Sequence, residues 1–113
     1  MKIIAEKISI KELDDLAKKM FGNLVKAVVD IDREIMAIDG ELHADLEALL
    51  MENGSVGKNL WGINLYPEIK DEGWIEFDSM INLRPSQNNR SRGVEDPLIQ
   101  KKIVAIANQL IIK

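Results

Sequence analysis

The chain has 113 residues, of which 46% are hydrophobic and 30% charged, and its formal net charge at pH 7 is -4. These values are typical of one soluble globular domain covering residues 1–113, and the absence of cysteine excludes disulfides, thiolate metal sites and a cysteine nucleophile. The negative charge disfavours binding to a nucleic-acid duplex through bulk electrostatics. No apolar run reaches the ~20 residues of a membrane-spanning helix, and charge comes too early for a signal peptide, so we expect a cytoplasmic protein with no membrane partner.

The first part of the chain predicts a helix followed by a hairpin. Residues 1–4 are an apolar lead that suits a first strand or an arm. Ser9 and Glu12 form a capping box ahead of an amphipathic pattern, and Gly22 suits the left-handed residue that ends such a helix. Residues 24–38 are rich in β-branched side chains and favour two short strands joined by a turn, with a single helix as the alternative.

The middle of the chain predicts a second helix and a second hairpin. Asp39-Gly40 suits the start of the helix, and Asn53-Gly54 suits its end. Four leucines predict the buried side of this helix, namely Leu42, Leu46, Leu49 and Leu50. Residues 60–66 and then residues 74–83 alternate as two strands around a turn. The polar face of these strands would carry Asn64, Tyr66, Glu76, Asp78, Asn82 and Arg84.

Asp96 and Pro97 predict the start of the last helix, as N-cap and first-turn proline. Its apolar positions up to Ile112 are wider than one ~100° stripe, so we expect burial on more than one side, either across the sheet or in a homodimer formed through residues 97–112. The predicted fold is α+β, in the order β-α-β-β-α-β-β-α. Its mainly antiparallel sheet would be built from two hairpins and packed by three helices.

The polar loop of residues 84–93 is the first candidate for a ligand site. It contains three arginines and no acid, and a guanidinium presents a planar fork of donors to phosphate or carboxylate oxygens. The helix start that follows also favours an anion. The candidate ligand-binding residues are Asn82, Arg84, Ser86, Asn88, Arg90 and Arg92. The alternative is a structural loop whose arginines pair with Glu95 and Asp96.

Three side chains are candidates for acid–base catalysis. Glu76 and Asp78 would point the same way from one strand, although a solvated sheet face gives the same alternation. His43 is the only histidine, and Asp39 and Glu47 lie within helical reach of it. A solvent-facing histidine on a polar helix surface is the simpler interpretation. Glu76 with Asp78, or His43 with the acids near it, could also hold a divalent cation, but no specific pattern predicts a metal site or a cofactor.

Three segments have distinctive sequences: EIMAIDGELHADLEALL at residues 34–50, LWGINLYP at 60–67 and FDSMINLRPSQNNRSRGV at 77–94. On these segments the chain resembles a family of small bacterial and archaeal proteins classed as a domain of unknown function. The resemblance implies one small domain and no particular activity.

Three functions are therefore hypotheses. The first is the binding of an anionic small molecule or a nucleic-acid phosphate through Arg84, Arg90 and Arg92. The second is a small hydrolase or nuclease that uses Glu76 and Asp78, or His43, with the arginines stabilising charge. The third is a non-catalytic, homo-oligomeric interaction domain. The sequence leaves open which of these applies and whether the protein is an enzyme.

Overall fold

A computed structural model describes all residues, 1–113. Its helices are Ile10–Met20 (α1), His43–Glu52 (α2) and Pro97–Leu110 (α3). Its strands are Lys2–Ile4 (β1), Ile8–Ser9 (β2), Val25–Asp30 (β3), Ile35–Ile38 (β4), Leu60–Leu65 (β5), Ile75–Glu76 (β6) and Ile111–Ile112 (β7). Five strands form one antiparallel sheet in the order β1-β4-β3-β5-β6, and β2 pairs separately with β7 in parallel. The predicted α+β class, with three helices and a mainly antiparallel sheet, is confirmed.

The sheet separates two layers of helices because its central strands bury both faces. On one face, Leu13 of α1 and Ile103 of α3 belong to the larger core together with Ile63 of β5. On the other face, Leu46 of α2 belongs to a smaller core with Val28 of β3. Alternate residues of a strand point to opposite faces, so the central strands are apolar at consecutive positions. Burial of each such side chain contributes roughly 1.5–3 kcal/mol.

The hairpin predicted for residues 24–38 is confirmed as β3 and β4. Asp30 ends the first strand, and its Oδ1 accepts hydrogen bonds from the N–H groups of Asp32 and Arg33. Glu34 completes the turn with a positive φ of 58°. This Asx turn gives the backbone a local alternative to helix continuation, so the chain reverses here and does not form the single helix.

The predicted caps of α1 and α3 are also confirmed. Ser9 Oγ accepts a hydrogen bond from the N–H of Glu12, and Asp96 Oδ1 accepts one from the N–H of Leu98. Gly22 follows α1 with a φ of 92°, a left-handed conformation that glycine adopts without a steric penalty. Each cap of this kind contributes about 1 kcal/mol to helix stability.

The predicted start of α2 is wrong, and within the chain α3 is buried on one side and not on more than one. Helix α2 begins only at His43, so Leu42 is its N-cap residue and is 56% exposed. Helix α3 buries a single stripe, which consists of Ile103, Ile106, Ala107 and Leu110. Leu98, at its exposed start, has no place in that stripe and is 73% exposed. A homodimer through residues 97–112 stays a prediction. None of the three helices has the length and apolar character needed to cross a membrane.

The strand predicted for residues 74–83 is wrong beyond its first residues, because β6 contains only Ile75–Glu76. The chain then leaves the sheet and forms a short 3-10 turn at Met80–Asn82. The side chain of Asn82 takes the place of the missing strand, since its amide forms hydrogen bonds with both the N–H and the C=O of Gly62 in β5. An amide side chain offers the same donor and acceptor pair as a backbone residue.

Candidate functional site

Arg84 starts the predicted arginine loop, and its guanidinium is held inside the domain. Its Nε donates to the C=O of Ile81 at 2.8 Å, and one of its terminal nitrogens donates to the C=O of Leu60. The guanidinium lies 4.8 Å from the ring centre of Trp61 and 3.5 Å from a carboxylate oxygen of Glu47. Burial lowers the pKa of Arg84 from its ordinary value, and the Glu47 charge opposes that change. Arg84 therefore joins α2, β5 and the loop.

Two buried asparagines fix the backbone of the same loop. Asn82 donates to the C=O of Arg92 at 2.9 Å, in addition to its two bonds with Gly62. Asn89 donates to the C=O groups of Asn82 and Gly93 at 2.7 and 2.8 Å, and its Oδ1 accepts the N–H of Glu95 at 2.9 Å. Every polar side-chain atom of these two residues therefore has a partner inside the chain.

The remaining candidates of the loop lie at the surface. Ser86, Asn88 and Arg90 are exposed, and Asn88 has a left-handed backbone with a φ of 61°. The Arg90 side chain forms no ion pair, although its backbone N–H donates to the Glu95 carboxylate. The Arg92 side chain instead pairs with Asp78, which follows β6. The loop thus places its three arginines in three different environments.

His43 is buried, so the solvent-facing interpretation of this residue is wrong. It is the first residue of α2, and its side chain packs on β5 above Gly62, where a Cβ atom would lie 3.2 Å from the ring Cδ2. Its Nε2 is 2.8 Å from the C=O of Ile63. The pKa of His43 is lowered from its ordinary value, and burial is the largest cause. The positive charges of Lys26 and Arg92 also lower this pKa, whereas the hydrogen bond to Ile63 and the Asp78 charge raise it.

A row of polar side chains crosses the sheet beside this ring. Lys26 of β3 pairs in register with Asn64 of β5, and Asn64 pairs with Glu76 of β6. Asn64 Nδ2 donates to Glu76 Oε1 at 2.8 Å, and the Tyr66 hydroxyl donates to the same oxygen at 3.0 Å. Burial and this hydrogen bond raise the pKa of Tyr66. Asn64 is only 7% exposed, and its Oδ1 has no hydrogen-bond partner.

The ion pair between Arg92 and Asp78 completes this site, with Nε and Oδ1 2.7 Å apart. We call the whole group the His43 cluster, and its members are Lys26, His43, Asn64, Tyr66, Glu76, Asp78 and Arg92. The fold thus brings together the three predicted catalytic candidates and one predicted ligand-binding arginine. No group of three or more acidic or histidine side chains is arranged to hold a metal ion.

Sequence reasoning missed Lys26 as a member of this site and placed Asn64 only beside it. A lysine within an apolar strand was one available signal, because such a strand is expected to bury both faces. Gly62 was the other signal. A glycine inside a strand often marks the close approach of another group, and here a Cβ atom would lie 2.5 Å from Ser79 Cβ.

A wide groove lies elsewhere, between the segment before β6 and helix α3. Its volume is about 1210 Å³, and its apolar lining includes Trp74, Phe77 and Val104. Lys113 lies 4.0 Å above the Trp74 ring at one wall. No buried polar side-chain atom without a partner lines this groove, so we place the candidate site at the His43 cluster.

A comparison with protein families supports the resemblance noted in the sequence. The model of a family described as "Protein of unknown function (DUF5674)" matches residues 2–110, which is nearly the whole chain. The comparisons found no match among curated proteins and none among solved structures.

Proposed function

The chain belongs to the DUF5674 family, whose description assigns no activity, and we propose that it binds a small ligand with a single negative charge at the His43 cluster. The ligand class is a phosphodiester or a carboxylate. This proposal keeps the anionic ligand expected from the arginine loop but centres it on Arg92 and Lys26.

The charges of the cluster support a monoanion. Lys26 and Arg92 contribute two positive charges, and Glu76 and Asp78 contribute two negative ones, so the formal sum is zero. A polyanion would gain little there, whereas one negative charge can be placed near the cations. Asp78 accepts from Nε of Arg92, so the terminal nitrogens of that guanidinium remain available for two oxygens of a phosphodiester or carboxylate.

The unpartnered Oδ1 of Asn64 is the observation that carries the proposal. A buried acceptor without a donor costs about 1–3 kcal/mol. Such atoms are rare in native proteins and call for an explanation such as a ligand or a catalytic role. Asn64 lies beside His43, because the imidazole bonds to Ile63 between Gly62 and Asn64. A hydroxyl, an amine or a bound water of a ligand supplies the missing donor once a covering side chain moves aside, because this oxygen is buried.

Titration of isotope-labelled protein tests this proposal by NMR. Dimethyl phosphate and acetate represent the two monoanions, and phenyl phosphate represents a dianion. We expect at least one monoanion to shift the side-chain signals of Asn64 and His43, with weaker binding of the dianion. Arg92→Ala should weaken binding about 10-fold or more, since a charge-assisted hydrogen bond contributes about 1.5–3 kcal/mol.

Lys102→Ala is the matched control, because it also removes one positive charge but lies on α3, on the other face of the sheet. Its binding should equal that of the unmodified protein. If neither monoanion shifts the cluster signals, or if both substitutions weaken binding equally, the proposal is wrong. Dimethyl phosphate and acetate tested separately identify which of the two ligand classes is bound.

A further inference from the structure

We propose a second binding site, at the free edge of the sheet, for an extended and acidic peptide segment of a partner protein. The site is the groove between β6 and α3, whose volume is about 1210 Å³. It is separate from the His43 cluster. The side chain of Glu76 bonds within that cluster, whereas its neighbours Ile75 and Phe77 lie on the opposite face and pack on the larger core.

The pairing of β6 determines which backbone groups are free. β6 is the outermost strand of the sheet and pairs with β5 on one side only. Tyr66 donates to the C=O of Trp74, and Glu76 is in antiparallel register with β5 two residues further on. Alternate residues of a strand direct their peptide groups to opposite sides, so those of Ile75 and Phe77 point away from β5. Both of these residues line the groove.

The chain itself satisfies the outward groups at either end of this edge. The N–H of Ile75 donates to the 3-10 turn that precedes β6. The N–H of Ser79 donates to the C=O of Arg92 at 2.9 Å, and the C=O of Phe77 lies against Gly93, where a Cβ atom would be 3.4 Å from it. Between these contacts, the C=O of Ile75 and the N–H of Phe77 have no hydrogen-bond partner in the chain.

These two groups match the backbone of one residue in an added parallel strand. Such a residue donates its N–H to the C=O of Ile75 and accepts from the N–H of Phe77. Recognition by strand addition takes its affinity from main-chain bonds of this kind and its specificity from the pockets beside them.

The groove has room for the side chains of such a peptide. Beside the free edge, its apolar lining consists of Trp74, Phe77, Val104 and Ala105. Ala105 is exposed and small, so α3 does not close the space below the edge. The groove also exceeds the ~300–1,000 Å³ of small-ligand pockets, and this size suits a segment of chain.

The charges around the groove select an acidic segment. Three lysines line it, Lys70, Lys101 and Lys113, and none of them forms an ion pair in the chain. Asp71 and Glu72 are the two acids of the lining, so three positive and two negative charges give a formal sum of +1 in a protein whose net charge is -4. The Asp71 carboxylate already caps the 3-10 turn before β6. Carboxylates of a bound segment would therefore pair with the lysines, and a basic segment would be repelled.

NMR titration with a capped heptapeptide tests the proposal, using the sequence Leu-Val-Leu between two pairs of glutamates. We expect shifts of the Phe77 amide and the Trp74 indole. Hydrogen exchange at the Phe77 amide should slow at least about 10-fold, because this N–H gains a partner. Methylation of the one peptide nitrogen that donates to Ile75 should weaken binding about 10-fold, and methylation of either adjacent nitrogen less than about threefold.

Lys101→Glu and Lys102→Glu form a matched pair. Both residues are exposed neighbours on α3, but only Lys101 lines the groove. At about 0.15 M salt, which screens distant charges, Lys101→Glu should weaken binding of the glutamate peptide about 10-fold. Lys102→Glu should change it less than about twofold. A peptide with lysines in place of the glutamates should bind the unmodified protein at least about 10-fold more weakly.

Each other result overturns the proposal. The site is wrong if the heptapeptide does not bind at about 1 mM, or if both substitutions or all methylations have equal effects. Equal affinity for N-acetylglutamate amide would show a small-molecule site. Slower exchange at Phe77 with rising protein concentration, without peptide, would show that a second copy of the chain covers the edge. Dimethyl phosphate binding at the His43 cluster is measured separately, so the failure of one proposal leaves the other intact.

Discussion

The loop of residues 84–93, with Asn82 before it, and the His43 cluster both contact strand β5 but differ in whether their buried amide groups have hydrogen-bond partners. In the loop, the amide of Asn82 is fully buried and each of its atoms is hydrogen-bonded within the chain. In the cluster, the similarly buried amide of Asn64 uses only its nitrogen, and its oxygen has no partner. The same residue type is therefore fully hydrogen-bonded in one region and left with an unpartnered oxygen in the other.

This difference shows how to separate polar residues that stabilise a fold from those that serve a site. A fully satisfied amide stabilises the native state because its removal leaves buried backbone groups without partners. An amide with an unsatisfied atom contributes little to stability. Equivalent substitutions should therefore destabilise the protein strongly in the first region and little in the second.

The largest effect is expected for Asn82→Ala. This substitution removes three hydrogen bonds and leaves the N–H and C=O of Gly62 without partners. We expect the free energy of unfolding to fall by about 4 kcal/mol, from loss of several buried bonds at roughly 1–3 kcal/mol each. Urea denaturation measures this change. A loss below about 1 kcal/mol would mean that water replaces the amide, and the loop would then not depend on Asn82.

Gly62→Ala tests the close packing of both regions against strand β5. The added methyl group would lie 2.5 Å from Ser79 Cβ and 3.2 Å from His43 Cδ2, so the backbone at Ser79 or the α2 start must shift. We expect a loss of about 3 kcal/mol, the upper part of the range for overpacking. Gly57→Ala is a suitable control, because its added methyl group would meet only the flexible end of Met51, at 3.6 Å. Equal melting temperatures for the two variants would contradict the predicted close packing above β5.

The hairpin of β3 and β4 and the caps at Ser9 and Asp96 could be predicted from the sequence because their hydrogen bonds join residues two or three positions apart. The end of β6 could not be predicted from the sequence. The bonds that replace the strand join Asn82 to Gly62, which are 20 positions apart, and an alternating pattern carries no information about such a partner.

The candidate site could likewise be predicted only as far as single residue types and local contacts allow. Glu76, Asp78 and His43 were identified as residue types that perform acid–base chemistry, but their convergence required the register of β5 with β3 and β6. The buried position of His43 is favoured by Gly62, since a Cβ atom there would lie 3.2 Å from the ring and would require it to shift. Arg84 could not be distinguished from Arg92 in the sequence, because its burial depends on contacts with Leu60, Trp61 and Glu47, which are distant along the chain.

A smaller, pH-dependent effect is expected from His43. Because burial lowers its folded-state pKa below 6.5, the unfolded chain binds more protons at this residue between the two pKa values. Stability should therefore decrease as pH falls below about 6.5, by at most about 1.4 kcal/mol per pH unit, and this contribution levels off below the folded-state pKa. Urea denaturation of the unmodified protein and of His43→Gln between about pH 7 and pH 5 measures the slope. An unchanged slope in the variant would mean that other groups produce it.

The smallest change in stability is expected for Asn64→Ala, the counterpart of Asn82→Ala. The substitution loses the hydrogen bond to Glu76, whose carboxylate still accepts from the Tyr66 hydroxyl at 3.0 Å, and a long one to the C=O of Asp78 at 3.4 Å. It also removes the buried oxygen that has no partner, and these two terms of roughly 1 kcal/mol offset each other. We therefore expect the free energy of unfolding to change by less than about 0.5 kcal/mol, while the NMR shifts caused by dimethyl phosphate decrease. Destabilisation as large as that of Asn82→Ala would show that the Asn64 oxygen is satisfied in the folded protein, and the contrast between the two regions would not hold.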